Sequence, residues 1–425
     1  MKTMVIGLGP EYNYDISNHA LWSSENTRYA SNHGASLISR TLIDFFNADY
    51  IDDFSKIEDY RNTYDLCVVA FATHVTNWRD VSLYTDFVKD LKIKTVAFSL
   101  GIQDYSAGSS MVNDIHHSLK DLLNYVVESS GYLGVRGPHT ASVLLKSGFD
   151  PENIVNFGCP TLFAPLNRDL KIEKKKTFKN PLVVYHRTMA DLNESLLNDV
   201  KILGQDFLDE VVFVEAVDNE QVVKKAELGN YKLHKNGENA LTHIKSRGMF
   251  VHTFDEWYAE VAKHDFVLGA RLHGCVAALI QGIPAVMIAR DVRVEEIAEF
   301  YKIPYIKYED IGNLSIQDIF DQADYSEFNN LYKHRFDNFM KLMADLNLSD
   351  NLSFEIKEPS AYWYNKEDLN ANTKILFRDL AQLSERLNHL EKKQHRELIK
   401  ISKKIDKITN TFRKIPGYNF FKKTL

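Results

Sequence analysis

The densest group of reactive residue types in this chain is the run Asp265-Phe-Val-Leu-Gly269-Ala-Arg271-Leu272-His273-Gly274. It passes from an apolar strand-like stretch through small residues into a helical pattern. Gly269 and Gly274 allow a tight turn and close backbone approach to a ligand. Arg271 offers a planar fork of donors for a phosphate or carboxylate. His273 falls at the start of the helix, where free amides and the positive dipole end favour an anion. An anion site with an acid/base group beside it is the chemistry these types support. A salt-bridged, helix-capping turn would use the same residues.

Other polar groups also follow strand-like runs. His186 and Arg187 come directly after Leu182–Tyr185, so both could reach a ligand or tie two domains together. Arg290 and Arg293 flank Asp291 after Ala285–Ile288, either as cleft cations or as a salt-bridged loop. His116 and His117 are neighbours on a helical stretch and point to different faces, which argues against a metal pair. Gly7-Leu-Gly9-Pro10 lacks the third glycine of a dinucleotide loop, and no GxxxxGK[ST] occurs. Cys67, Cys159 and Cys275 are widely spaced, which fits buried thiols better than a disulfide framework or a zinc site. Neither a metal pair nor a dinucleotide site is expected from these residues.

The elements that must position these groups alternate between strand and helix. In the first part, strand-like runs are expected at 3–6, 65–71, 95–100, 132–135 and 154–157. Helical spacing covers 36–46, 81–91, 113–127 and 138–146. A charged stretch over 171–179 reads as a linker. The alternation then restarts, with strands at 182–185, 211–214, 249–251, 266–268, 285–288 and 305–306, and helices at 254–263, 275–281 and 294–301. The expected fold class is therefore α/β, with two doubly wound, Rossmann-like domains facing a cleft. The expected boundaries are 1–170 and 180–325, then a helix and connector over 326–369 and a basic tail over 370–425.

The residues around the turn resemble the polysaccharide pyruvyl transferase family. The resemblance runs from Trp257 through Gly269-x-Arg271-Leu272-His273-Gly274, then Gly282-Ile-Pro284 and Asp291-Val-Arg293-x-Glu295-Glu296. In the first domain, Gly134-Val-Arg136-Gly-Pro resembles the family's arginine-containing strand end, and Gly158-Cys-Pro160 its glycine–proline segment. Asn32-His-Gly34 resembles its N-terminal asparagine–glycine turn. Together these span about residues 1–310. The resemblance implies a GT-B-like pair of domains that moves pyruvate from phosphoenolpyruvate (PEP) onto two hydroxyls of a sugar, giving a cyclic ketal and phosphate. It implies a reaction that needs no metal and no redox cofactor, with Arg271 and Arg136 as PEP cations and Leu272 and Gly274 beside them. His273 would protonate the methylene carbon or take a hydroxyl proton. His186, Arg187, Arg290, Arg293, Asn32 and Gly34 are further cleft candidates. A nucleotide-sugar glycosyltransferase and an inactive scaffold in a glycan assembly complex are the competing readings.

Charge separates the tail from the rest. The chain carries −7 overall, yet from Lys392 onward 11 Lys/Arg face two acids, which leaves −16 on residues 1–391. An acidic body argues against nucleic acid as a partner. From Leu376 the apolar residues follow a heptad seam with a stutter near Gln394. The tail is expected to self-associate, and its basic end with Phe412, Phe420 and Phe421 suits an anionic membrane surface. The start of the chain has no signal-peptide order, so a cytoplasmic enzyme, peripheral at the inner face of the membrane, is expected.

Overall fold

A computed structural model describes residues 1–9, 33–103, 114–186, 189, 196–197, 200–205, 247–251 and 253–357. Short apolar runs bounded by polar turns form its strands, and several are buried along their whole length. Examples are β3 (Leu66–Ala70, LCVVA), β10 (Phe266–Gly269, FVLG) and β11 (Ala285–Ala289, AVMIA). Burial on both faces is what an all-parallel sheet with helices on each side requires.

The first sheet has the order β2-β1-β3-β4-β5-β6, with every pair parallel. It adds β1 (Thr3–Gly7), β2 (Asp49–Tyr50), β4 (Lys94–Leu100), β5 (Leu133–Val135) and β6 (Ile154–Asn156). The second sheet runs β12-β11-β10-β7-β8-β9, again all parallel. Its remaining strands are β7 (Pro181–Val184), β8 (Lys201–Leu203), β9 (Gly248–Met249) and β12 (Tyr305–Lys307). Read from β9, this is the dinucleotide-fold order 3-2-1-4-5-6. Its direction of winding reverses between β7 and β10, and in the first sheet between β1 and β3. Ligands bind at such reversals, beyond the carboxyl ends of the strands.

Some of the helices around these sheets start where the sequence offers caps. α1 (His33–Phe46) follows β1, and α2 (Ile57–Thr63) and α3 (Ser82–Leu91) flank β3. α4 (His117–Ser130) packs beside β4 and ends at Gly131 in the left-handed region. α5 (Pro138–Lys146) opens on proline, whose fixed φ suits the first helical position. α6 (Phe254–Val261) begins with a Thr253–Glu256 capping box. α7 (Leu272–Leu279) follows β10, and α8 (Val292–Tyr301) is capped by Asp291. After α9 (Ile316–Gln322), the long α10 (Ser326–Asp345) lays Phe339 on Phe163, with ring centres 4.6 Å apart, and near Phe45 of α1 at 5.8 Å.

The expected fold class is what is seen: two parallel, helix-covered sheets whose carboxyl ends share a cleft. Some elements differ from expectation. β2 and β8 are edge-proximal strands of two and three residues, too short to show a period. α2 buries none of its residues, so it carries no apolar stripe. The helix expected from 113 begins at His117, where the His116 side chain accepts from the Ser118 amide. The strand expected at 211–214 and the heptad tail lie outside the described residues. No helix among the described residues is long and apolar enough to cross a membrane.

Candidate active site

The arginine–histidine turn sits where the second sheet reverses its winding. β10 ends at Gly269, and a Cβ there would lie 2.7 Å from the Cys275 sulfur. Gly274 faces Val184 at the end of β7, and a Cβ on it would overlap that side chain. These two glycines let α7 press its first turn against the sheet, which fixes the direction of Arg271 and His273. Arg271 is the N-cap of α7 and has extended backbone. His273 is the second residue of α7, within its first turn, and only 6% exposed.

The first domain supplies Arg136 at the end of β5. Its amide donates to the Leu100 carbonyl at 2.9 Å and its Nε to the Ser99 hydroxyl at 3.0 Å. Ser99 has φ of 63°, a left-handed conformation that a serine adopts at a cost. The register of β4 against β5 shifts between Ala97 and Leu100, and this strained residue is part of the shift. Gly101 clears the path, since a Cβ there would lie 2.8 Å from Arg136 Cδ. Arg136 is 4% exposed, and its Nη2 is buried with no hydrogen-bond partner among the described residues. Burial pulls its pKa down, with Cys159 and Glu296 pulling it back up. An arginine stays charged regardless, so this is a desolvated cation with a free donor.

Both arginines line one cleft. The first domain contributes Ala35, Ala72, Thr73 and Arg136, and the second Gln205, Ala270, Arg271, Leu272, His273, Arg290, Arg293 and Val294. Asp291, 2% exposed, accepts from Arg293 Nε at 3.0 Å and Nη2 at 2.7 Å, and from Arg290 Nη2 at 3.2 Å. The salt-bridged loop and the cleft cations are thus the same feature: one buried carboxylate holds two guanidiniums at the cleft wall. Its pKa is lowered by Arg293 and Arg290 against the opposing effect of burial.

His273 is gripped on two sides. Its Nε2 lies 3.6 Å from the Cys159 sulfur, which lies 3.0 Å from the Thr161 hydroxyl. On the other side, a Cβ at Gly34 would come within 2.8 Å of His273 Nδ1 and would overlap the Gln205 amide. Burial first, and Arg136 second, hold the imidazole pKa well below its ordinary value. The ring is therefore held in its neutral form.

The two domains are also joined behind the cleft. Glu296 of α8, 2% exposed, accepts from the Thr140 amide at 2.7 Å and from its hydroxyl at 3.0 Å. A carboxylate there meets the amino end of α5, just after Arg136. The Tyr301 hydroxyl donates to the Phe157 and Cys159 carbonyls at 3.1 and 3.3 Å.

Arg271, Leu272, His273, Arg136, Arg290 and Arg293 all meet at the cleft, with Gly34 packed against His273. Gly274 lies behind them as a packing residue. His186 is buried at the end of β7, where its carbonyl accepts from the Met189 amide at 2.7 Å, and it does not line the cleft. Arg187 and Asn32 lie outside the described residues. Sequence reading missed Ser99, Gln205 and Thr73. None belongs to a motif, and the only signal for Ser99 is its backbone conformation.

Three kinds of comparison with known proteins were made. No curated protein sequence matches the chain. Among solved structures, it is similar to a putative UDP-N-acetylglucosamine 2-epimerase from Listeria monocytogenes, at 11% identity and TM-score 0.39, over 84% of this chain and 100% of that one. It is similar to Anabaena Alr3699/HepE in complex with UDP at 9% identity and TM-score 0.38, over 82% and 98%. It is similar to S. aureus MnaA with UDP at 12% identity and TM-score 0.36, over 85% and 100%. These likenesses are too remote to bear on function. The profile of the polysaccharide pyruvyl transferase family, by contrast, matches residues 32–292. That span exceeds half the chain and contains both Arg136 and the Arg271–His273 turn, so the chain belongs to the polysaccharide pyruvyl transferase family and is a transferase.

Proposed function

We propose that this enzyme takes PEP as donor and forms a cyclic pyruvate ketal on a sugar of a cell-surface polysaccharide precursor. The observation that carries the reading is the meeting of Arg136 and Arg271, one from each domain, beside a neutral His273. PEP is a small polyanion with a phosphate and a carboxylate. Four arginines line the cleft, and the carboxylate holding two of them, Asp291, leaves a net positive wall. The unpartnered Nη2 of Arg136 is a donor waiting for an anionic oxygen.

In the reaction, two sugar hydroxyls form bonds to C2 of PEP, and the C2–O bond to phosphate breaks. One hydroxyl proton ends on the methylene carbon, which becomes methyl, and the other leaves with phosphate. The neutral imidazole of His273 takes the proton of an attacking hydroxyl, and the imidazolium so formed returns it to the methylene carbon or to the departing phosphate. The arginines hold the carboxylate and phosphate and spread the charge of the leaving group. The acceptor is a sugar unit, lipid-linked or polymeric.

The test incubates the protein with PEP and candidate lipid-linked or soluble glycans. Phosphate released only when acceptor is present, together with a product heavier by one pyruvate ketal, is the expected result. Transfer from a nucleotide sugar with no need for PEP would replace this reading with a glycosyltransferase. The tail over 370–425 is proposed to self-associate and to dock on anionic membrane. Truncation after Leu369 should spare activity on a soluble acceptor and lower it on vesicles. Equal activity on vesicles rules out docking, and a monomeric full-length chain rules out self-association.

A further inference from the structure

We propose that Trp78 is a second sugar subsite on the rim of the cleft, taking a pyranose ring of the acceptor glycan next to the one that is modified. The inference rests on the reading of the acceptor as a polysaccharide precursor. It begins with an exception in the distribution of aromatic rings. Trp78 is 59% exposed, and no other Phe, Trp or Tyr among the described residues is classed as exposed. A lone exposed aromatic is ordinary on a flexible loop. This one is not on such a loop.

Trp78 lies in the connection from β3 to α3, beyond the carboxyl end of the first sheet, and the connection is pinned on both sides of it. Val75 and Thr76 are fully buried. The Val75 amide donates to the Gly101 carbonyl at 3.0 Å, and the His116 amide to the Thr76 carbonyl at 2.8 Å. Past Trp78, the Arg79 amide donates to the Thr76 hydroxyl at 3.0 Å, and the Val81 amide to the Ser118 hydroxyl at 2.9 Å. The Arg79 guanidinium sits 5.2 Å from the indole centre. It is itself held, with Nη1 3.3 Å from His74 Nε2 and Nη2 donating to Gln103 Oε1 at 3.3 Å. The indole is thus a preorganised platform, with little ordering left to lose when a ligand lands on it.

The platform is tied to the cleft. Gln103 Oε1, which accepts from Arg79, also accepts from the Thr73 hydroxyl at 3.0 Å. Thr73 is part of the wall that includes Arg136 and Arg271. Trp78 is thus linked to that wall through Arg79, Gln103 and Thr73, and a glycan bound at the wall would extend toward it with its next sugar. A pyranose offers one face of C–H groups ringed by hydroxyls. An indole covers that apolar face and leaves the hydroxyls to water or to polar neighbours. A second protein would need a wider apolar patch than a single ring provides.

The test uses the full chain, Trp78→Ala and Trp78→Phe on an array of glucose, galactose, mannose and their N-acetylamino forms, each displayed as one sugar and as a chain of four. Pyruvate labelled with carbon-14 is supplied as PEP. The unaltered protein should label four-sugar chains about tenfold faster than single sugars. Trp78→Ala should bring that ratio close to one without changing the single-sugar rate or the PEP dependence, and Trp78→Phe should keep most of it. An unchanged ratio in Trp78→Ala, or no length preference in the unaltered protein, overturns the subsite. If PEP labels no sugar at all, the donor reading is what fails. The subsite is then judged by the same ratio in binding of fluorescently tagged protein to the array, where equal retention of Trp78→Ala and unaltered protein overturns it.

Discussion

The two sheets deliver cations to the cleft in opposite ways. The second sheet places Arg290 and Arg293 at the wall with side chains 18% and 21% exposed, both held by Asp291. The first sheet delivers a single guanidinium, Arg136, 4% exposed, with no carboxylate bonded to it and one nitrogen unpartnered among the described residues. A buried cation helped by a carboxylate, Glu296, only at a distance is costly unless something else repays it. Here the sequence adds further cost, with Ser99 in a left-handed conformation to support Nε. Charges paired within the protein shape a wall. A buried charge with an unpartnered donor is the one proposed to meet the ligand.

That contrast fails if Arg136 is no more important than its paired counterparts. Arg136→Ala should lower kcat/KM for PEP by about 10³-fold or more, as loss of a desolvated charge-assisted contact implies. Arg136→Lys should recover little, because one ammonium cannot serve both Ser99 and a ligand oxygen. Arg293→Ala, from the paired set, should cost far less, about tenfold. Comparable losses in steady-state kinetics would erase the distinction.

His273 sits between the two sets and should show a loss in turnover more than in binding. His273→Gln should cut kcat by about 10²–10⁴-fold and leave PEP affinity within a few-fold. Calorimetric titration with PEP would expose a pure binding role. The same burial that keeps this ring neutral has a stability consequence. His74 and His273 are both held below the ordinary histidine value, by burial first and nearby arginines second. The unfolded chain takes up protons on them from about pH 6.5 downward, and the folded chain does not. Stability is therefore full above that pH and falls below it, by up to about 1.4 kcal/mol per pH unit for each ring until its folded pKa is reached. Urea unfolding at pH 7.5 and pH 5.5 should show the drop, which His74→Phe should reduce.

Smaller effects sharpen how the halves are held together. Glu296→Ala removes the acceptor for the Thr140 amide and should raise the KM for PEP about tenfold with kcat largely kept, while Glu296→Gln should recover most of the loss. A kcat defect with unchanged KM would show that the bond does not position Arg136. Gly34→Ala would press a methyl onto His273 Nδ1 and should slow turnover several-fold, with a melting temperature within a few degrees of the parent. Full activity would mean that the ring has room to move.

The parts legible in the sequence are those made by local rules. Buried parallel strands announce themselves as apolar runs such as LCVVA and AVMIA, and the turn at Gly269–Gly274 gathers its glycines, arginine and histidine within six residues. What could not be read depends on contacts between distant segments. Ser99 matters because β4 shifts register against β5, and Cys159 because its thiol meets a histidine 114 positions away. Glu296 belongs to a run that resembles the family, yet its bond to Thr140 joins residues 156 apart. No spacing rule encodes such pairs. The depressed pKa of His273 was likewise invisible, because an unperturbed value near 6.5 presumes a solvated ring, and burial sets the real one.

The central claim is that one anion, PEP, is held jointly by Arg136 and Arg271 and gives up its phosphate only to a sugar. It is tested most directly by measuring phosphate release from PEP by the unaltered protein, Arg136→Ala and Arg271→Ala, each with and without an acceptor glycan. The account predicts acceptor-dependent release by the unaltered protein, a product carrying a pyruvate ketal, and loss of release in both variants. Acceptor-dependent release that survives removal of either arginine, or PEP bound by both variants as tightly as by the unaltered protein, would contradict it.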